Sequence, residues 1–171
     1  MNITIRRGTN EIGGTCIELQ SYASKILIDF GMPLVNKSGN SFDFTPYNKL
    51  SINELVKQGI LPNVLGAYSD KPEIDGVIIS HPHADHYGLM QYLNKEIHIW
   101  LGEATYRILD LNNIFLRQSN KILNPKYFEK EKPFTVGNFT ITAYWADHSA
   151  FDSYSFLIEA ENKRIFYSGD F

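Results

Sequence analysis

An uninterrupted apolar triplet, Val77-Ile78-Ile79, runs almost directly into His81-Pro82-His83-Ala84-Asp85-His86. A triplet of this kind after the turn pair Asp75-Gly76 reads as a strand buried on both faces, which demands layers above and below it. Three imidazoles and a carboxylate are therefore delivered to the end of a buried strand.

Imidazole nitrogen with carboxylate oxygen is the ligand set of zinc and related divalent ions. With five His and nine Asp among 171 residues, a string of this pattern arises by chance roughly twice in 10,000 such chains. A solvated loop is the plain alternative, but four titratable groups packed beside a buried strand without a ligand would be costly to desolvate. Side-chain direction repeats every two residues in extended chain, so His81 and His83 project to one side while Asp85 and His86 follow on a turn entering a helix. Two pairs facing two neighbouring positions suit two metal ions, and two ions need more ligands than one hexapeptide offers. Asp147-His148-Ser149 and Ser168-Gly169-Asp170 each lie just past an expected strand, where a side chain can be presented to a shared cleft. Taken alone, either string reads more readily as ordinary turn chemistry than as a ligand.

Around this centre the chain reads as one domain of mixed α and β structure. Ile3 and Ile5 alternate with polar neighbours, and residues 15–19 and 25–29 follow as strands of an antiparallel meander. A loop to about residue 46 leads to Ser51-Ile52-Asn53-Glu54, a capping-box signature opening a short helix that Gly59 can end. Leu89, Met90 and Leu93 suit a helix, residues 97–101 a strand, and Ala104, Ile108, Leu111 and Phe115 line one face of a longer helix. The last forty residues return to alternation, with turns at residues 136–139 and 161–162.

Composition narrows the function classes. The 13% aromatic share is too high and too evenly spread for disorder, and no apolar run is long enough to span a membrane. No signal peptide is apparent and the single Cys16 has no internal partner, so a reducing cytoplasm is expected. A net charge of −3 argues against a surface that grips nucleic acid everywhere, though not against a local basic patch.

Other candidates have plainer readings. His98, between Ile97 and Ile99, should point away from the buried face, and Cys16 reads as a small buried hydrophobe. Trp145, Phe151 and Tyr154 could stack on a base, but aromatics on alternating strands are expected to build core. Ser149 has no separate His and Asp to serve it as a nucleophile, and Gly13-Gly14 lacks the spacing of a phosphate loop.

The ordered set His81-x-His83-x-Asp85-His86, His148 and Asp170, preceded by Asp29 at a strand end, resembles the metallo-β-lactamase superfamily. Asn10-Glu11-Ile12-Gly13-Gly14-Thr15-Cys16, Leu27-Ile28-Asp29-Phe30-Gly31, Asp147-His148-Ser149-Ala150-Phe151-Asp152-Ser153 and Tyr167-Ser168-Gly169-Asp170-Phe171 are similar to its ribonuclease J-like, β-CASP-related branch. The resemblance implies an α+β fold, the N-terminal half of an αββα sandwich. It also implies two divalent ions, zinc foremost with manganese or iron as alternatives. His81, His83 and His148 would hold the first ion, Asp85 and His86 the second, and Asp170 would bridge both. Asp29 would brace the ligand loop, and Asp85 would also orient the nucleophile as the catalytic residue.

In such enzymes a hydroxide between the two ions attacks phosphorus, so RNA is the implied substrate and partner. Family members are longer, with a further metal-binding His after the bridging Asp and an inserted β-CASP domain. Residues 1–171 are thus expected to be the N-terminal portion of a metallo-β-lactamase domain. A small thioester, ester or lactone is the alternative substrate, because fold does not determine substrate. A metal-binding fragment without activity is the non-enzymatic alternative; its uncovered apolar face and sheet edge would favour homo-oligomers.

Overall fold

A computed structural model describes residues 1–115 and 121–170. Strands β1 (Asn2–Arg7), β2 (Cys16–Ser21), β3 (Ser24–Ile28), β4 (Gly76–Ile78), β5 (Ile99–Leu101) and β6 (Pro125–Tyr127) form a six-stranded sheet in that order. The expected meander is its antiparallel half, β1 to β3, whereas β3 to β6 run parallel. A second, antiparallel sheet holds β7 (Phe134–Val136), β8 (Phe139–Trp145), β9 (Tyr154–Ala160) and β10 (Lys163–Tyr167), in the order β10-β9-β8-β7.

Alternation along the strands builds two cores. Leu27, Val77, Ile79, Ile99 and Leu101 face one way and pack with Leu55, Leu89 and Leu109 from the helical side. Ile26, Ile28 and Ile78 face the other way, onto Phe139, Ile141, Phe156 and Ile158 of the second sheet. Helices, first sheet and second sheet are thus successive layers, and the Val77-Ile78-Ile79 triplet is buried from both sides.

Helix α1 (Ile52–Lys57) begins with the capping box of Ser51 and Glu54. It ends in paired bonds from Gly59 N to Val56 O and from Ile60 N to Leu55 O, with Gly59 at φ +74°. Only glycine takes that left-handed position without strain.

Three expectations need correction. The helix expected over Leu89, Met90 and Leu93 is instead α2 (Ala84–Tyr87), followed by a 3₁₀ turn at Met90–Tyr92. The amide of Leu89 bonds to Phe30 O, which takes it out of any helical ladder. Helix α3 (Glu103–Phe115) does form, but it buries Thr105 and Leu109, while Leu111 and Phe115 lie exposed. Trp145 and Phe151, expected in the core, are 67% and 76% exposed, and only Tyr154 is buried. His98 is exposed and Cys16 buried, as their neighbours imply. Among the described residues no helix is long and apolar enough to cross a membrane.

Candidate metal centre

Parallel strands β3 and β4 end at the same level, which sets the site's foundation. Asp29, fully buried just past β3, bonds through its amide to Ile78 O at 2.8 Å and accepts the Ser80 amide on Oδ1 at 2.8 Å. Its backbone is left-handed at φ +58°, a conformation Asp tolerates better than most residues.

The histidine loop is clamped by backbone. Phe30 N bonds to His86 O at 2.7 Å, Met32 N to Ala84 O at 3.0 Å and Thr15 N to Asp85 O at 3.0 Å. Gly31 sits under this clamp so closely that an added Cβ would stand 1.6 Å from Asp85 O. Asp85 and His86 are thereby fixed on α2, while His81 and His83 remain on the extended segment before it.

All the expected site residues converge. The rings of His81, His83 and His148 are mutually edge-on, with centroids 4.7 to 4.9 Å apart. His83 Nδ1 and His148 Nε2 approach to 3.1 Å. Nitrogens from these three side chains lie within 4.8 Å of one another, and so do atoms of a second group, His81, His86 and Asp170. His86 Nε2 stands 3.4 Å from Asp170 Oδ2 and 3.7 Å from Asp85 Oδ2, and His148 Nε2 is 3.9 Å from Asp170 Oδ2. Phe171, last of the Tyr167-to-Phe171 string, lies outside the described residues.

Behind these side chains runs a buried network. His86 Nδ1 meets Asp29 Oδ2 at 2.7 Å, and the hydroxyls of Ser80 and Tyr167 donate to the same oxygen at 2.8 and 2.6 Å. Because the Ser80 proton goes to Asp29, its oxygen can only accept from His81 Nδ1, 3.0 Å away. That fixes the His81 tautomer with a bare lone pair on Nε2. This atom is buried and has no hydrogen-bond partner among the described residues.

Charge follows geometry. Burial first, and the charge of His86 second, push His81 down to about 4, so it is a neutral imidazole at pH 7. Burial and the neighbouring His148 lower His83 as well. His86 behaves oppositely: burial opposes its charge, but the Asp29 carboxylate overcomes this and raises it to about 9. Asp29 is in turn held below the usual carboxylate range despite its burial, through His86, Tyr167 and Ser80.

Three imidazoles in one group and two in a second, sharing His81, with Asp170 beside the second and Asp29 locking the His86 ring from behind, make a ligand cage of the divalent-ion type. The family model for the Beta-lactamase superfamily domain matches residues 50–171. The chain belongs to the beta-lactamase superfamily.

Its two packed sheets are the metallo-β-lactamase fold, of the α+β class. The chain is 28% identical over 173 residues to Ribonuclease J of Helicobacter pylori strain ATCC 700392 / 26695, a match covering 100% of this chain and 23% of that protein. A protein of unknown function from Enterococcus faecalis V583 superposes with a TM-score of 0.80 at 23% identity, over 98% of this chain and 43% of that one. The metallo-beta-lactamase fold protein YhfI from Bacillus subtilis superposes with a TM-score of 0.61 at 21% identity, over 98% and 62%. The chain thus spans less than a quarter of the ribonuclease J it matches and covers its N-terminal part.

Ser80 is a site residue outside the quoted motifs, and Gly31 and Tyr167 stand inside them without a role assigned by the motif. Ser80 is signalled only by standing between the apolar triplet and His81. Tyr167 is signalled by the alternation of β10, which turns Ile165 and Tyr167 inward.

Proposed function

We propose that this superfamily member is the N-terminal portion of a metallo-β-lactamase domain that hydrolyses phosphodiester bonds of RNA with two divalent ions. One observation carries the reading: two ligand groups share His81, each spanning no more than 4.8 Å, at the strand ends of this fold. The donors suit divalent ions, because the bare, buried Nε2 of His81 has no other partner among the described residues and the His83–His148 contact places two ring nitrogens 3.1 Å apart. In this reading His81, His83 and His148 hold one ion, Asp85 and His86 the other, and Asp170 bridges them. Zinc suits so nitrogen-rich a set, and manganese or iron fits the same mixture. Ions held there would acidify water near neutral pH and stabilise charge developing on the scissile phosphate.

The chain's own groups do the positioning. Asp29 accepts from His86 Nδ1 and so turns Nε2 toward Asp85 and Asp170. Ser80 does the same for His81. Asp85, partly exposed beside His86, orients the attacking water. RNA as substrate rests on the likeness to ribonuclease J of Helicobacter pylori, and the cytoplasm on a single Cys16 with no internal partner.

The test pairs RNA with a panel of thioesters, esters and lactones, each offered to the chain with zinc or manganese. Cleavage of RNA, lost in His83→Ala, is expected. Turnover of a panel compound with RNA left intact would overturn the RNA reading and keep the hydrolase.

A further inference from the structure

Trp145 ends β8 opposite Tyr154 and stands 67% exposed at the rim of the metal centre, three residues before His148. A large aromatic side chain left in water forfeits the burial that normally holds it in a fold. The Trp145 backbone is paired with Tyr154 in the second sheet, and the Lys130 ammonium covers the indole face. The Tyr154 hydroxyl donates to Asp152 Oδ1 at 2.6 Å, and Asp152 Oδ2 accepts the Thr105 amide at 2.6 Å in the first turn of α3. With Ala146 N bonded to Ser153 O at 3.0 Å and the Ser153 hydroxyl to Ala150 O at 2.7 Å, these bonds tie the 146–153 loop to itself and to α3, and Phe151 stands 76% exposed on it.

Two cavities meet at Trp145. One, of about 460 Å³, is lined by Trp145, Phe151 and His148. The other, of about 490 Å³, is lined by Trp145 with Lys130 and Arg107 and also by Glu103, Glu129 and Asp152; Glu129 pairs with Lys132, and Asp152 accepts from Tyr154 and Thr105. The Lys130 ammonium lies 3.6 Å from the indole centroid, while the Arg107 charge is taken up by Glu103 at 2.6 Å. The order outward from the centre is therefore imidazole, two aromatic faces, then an ammonium group.

We infer that Trp145 and Phe151 form a stacking platform for a nucleobase flanking the scissile phosphate, with Lys130 placed for the next phosphate along the strand. The inference rests on the RNA reading above and names the substrate feature that site engages. Stacking tolerates any base, because every base has a π face, so the platform positions RNA without selecting sequence. Its continuity with His148 and the cation over the indole favour a nucleotide over an apolar protein segment, for which Lys130 would be a buried charge.

The test is binding of a short single-stranded RNA, and of the same strand made abasic, to the full metal-free chain in chelator. Fluorescence anisotropy of the dye-labelled strand is the readout for every variant, and quenching of Trp145, over half-buried Trp100 stacked on Phe134, is read in addition wherever Trp145 is present. Quenching and about tenfold tighter binding of the base-bearing strand are expected. Trp145→Ala and Phe151→Ala should each erase much of that difference, and Trp145→Phe should restore it. Equal affinity for both strands, no binding of either, or a Trp145→Ala effect confined to oligomeric state would overturn the platform. RNA hydrolysis by the metal-loaded chain is scored separately. Base-dependent binding without hydrolysis sinks the phosphodiesterase reading and keeps the platform, whereas hydrolysis with base-independent binding does the reverse.

Discussion

The hydroxyl of Tyr167 donates to Oδ2 of Asp29 at 2.6 Å, joining the last strand of the second sheet to the end of a central strand of the first. Asp29 is fully buried, and the same oxygen receives Ser80 and His86. Tyr167→Phe removes one donor from this carboxylate and leaves the ring's packing in place. A hydrogen bond to a charged group is worth about 1.5–3 kcal/mol, so an unfolding free energy lowered by that amount, read as a lower urea midpoint, is expected. An unchanged midpoint would show that the two sheets are not joined through this bond.

Asp29→Asn removes the charge that holds His86 protonated. His86, raised to about 9 beside Asp29, should titrate well below 9 in the variant, since burial opposes its charge and only Asp85 and Asp170 then remain to raise it. Histidine-resolved NMR titration of the metal-free chain reads this directly. A His86 that still titrates near 9 would contradict the pairing.

Stability of the metal-free chain should fall on both sides of its neutral range. His86 is raised to about 9, so its contribution is full below about pH 6.5 and is lost as pH rises through 9. His81 is lowered to about 4, so its contribution is present above about pH 6.5 and is lost as pH falls toward 4. Asp29, also lowered, adds to the acid-side loss below its ordinary value. Chemical denaturation in chelator from pH 4 to 10 checks both limbs, and a flat profile would contradict them.

Gly31→Ala would place a Cβ 1.6 Å from Asp85 O. The obstacle is backbone already bonded to Thr15, so no side chain can move aside. A loss near or above 3 kcal/mol, the upper end for overpacking, is expected. Gly39→Ala, whose new Cβ meets nothing within 4 Å among the described residues but whose φ is +79°, serves as the comparison for backbone strain alone. Equal stability of the two variants would refute the clamp.

What the sequence made legible was local and periodic. The Ser51–Glu54 capping box and the Gly59 stop each act within a few residues, and both are present. The histidine string declares its chemistry without any tertiary knowledge. The failures lie where a pattern gives a direction but not a distance. Trp145 shares the inward parity of Phe139, Ile141 and Ala143, yet it stands at the end of β8, past the region those residues bury. Leu111 and Phe115 belong to an apolar stripe on α3, but the helix meets the core through Thr105 and Leu109. Tyr167 reaches Asp29 across 138 residues, a partnership that no local pattern records.

The central claim is that His81, His83, Asp85, His86, His148 and Asp170 hold two divalent ions. Elemental mass spectrometry of the 171-residue chain, dialysed after zinc or manganese is offered, tests it most directly, with His83→Ala and His98→Ala beside it. The account predicts two ions per chain, loss of the first ion in His83→Ala and no change in His98→Ala. Fewer than two ions in the unsubstituted chain, or two ions in His83→Ala, would contradict it.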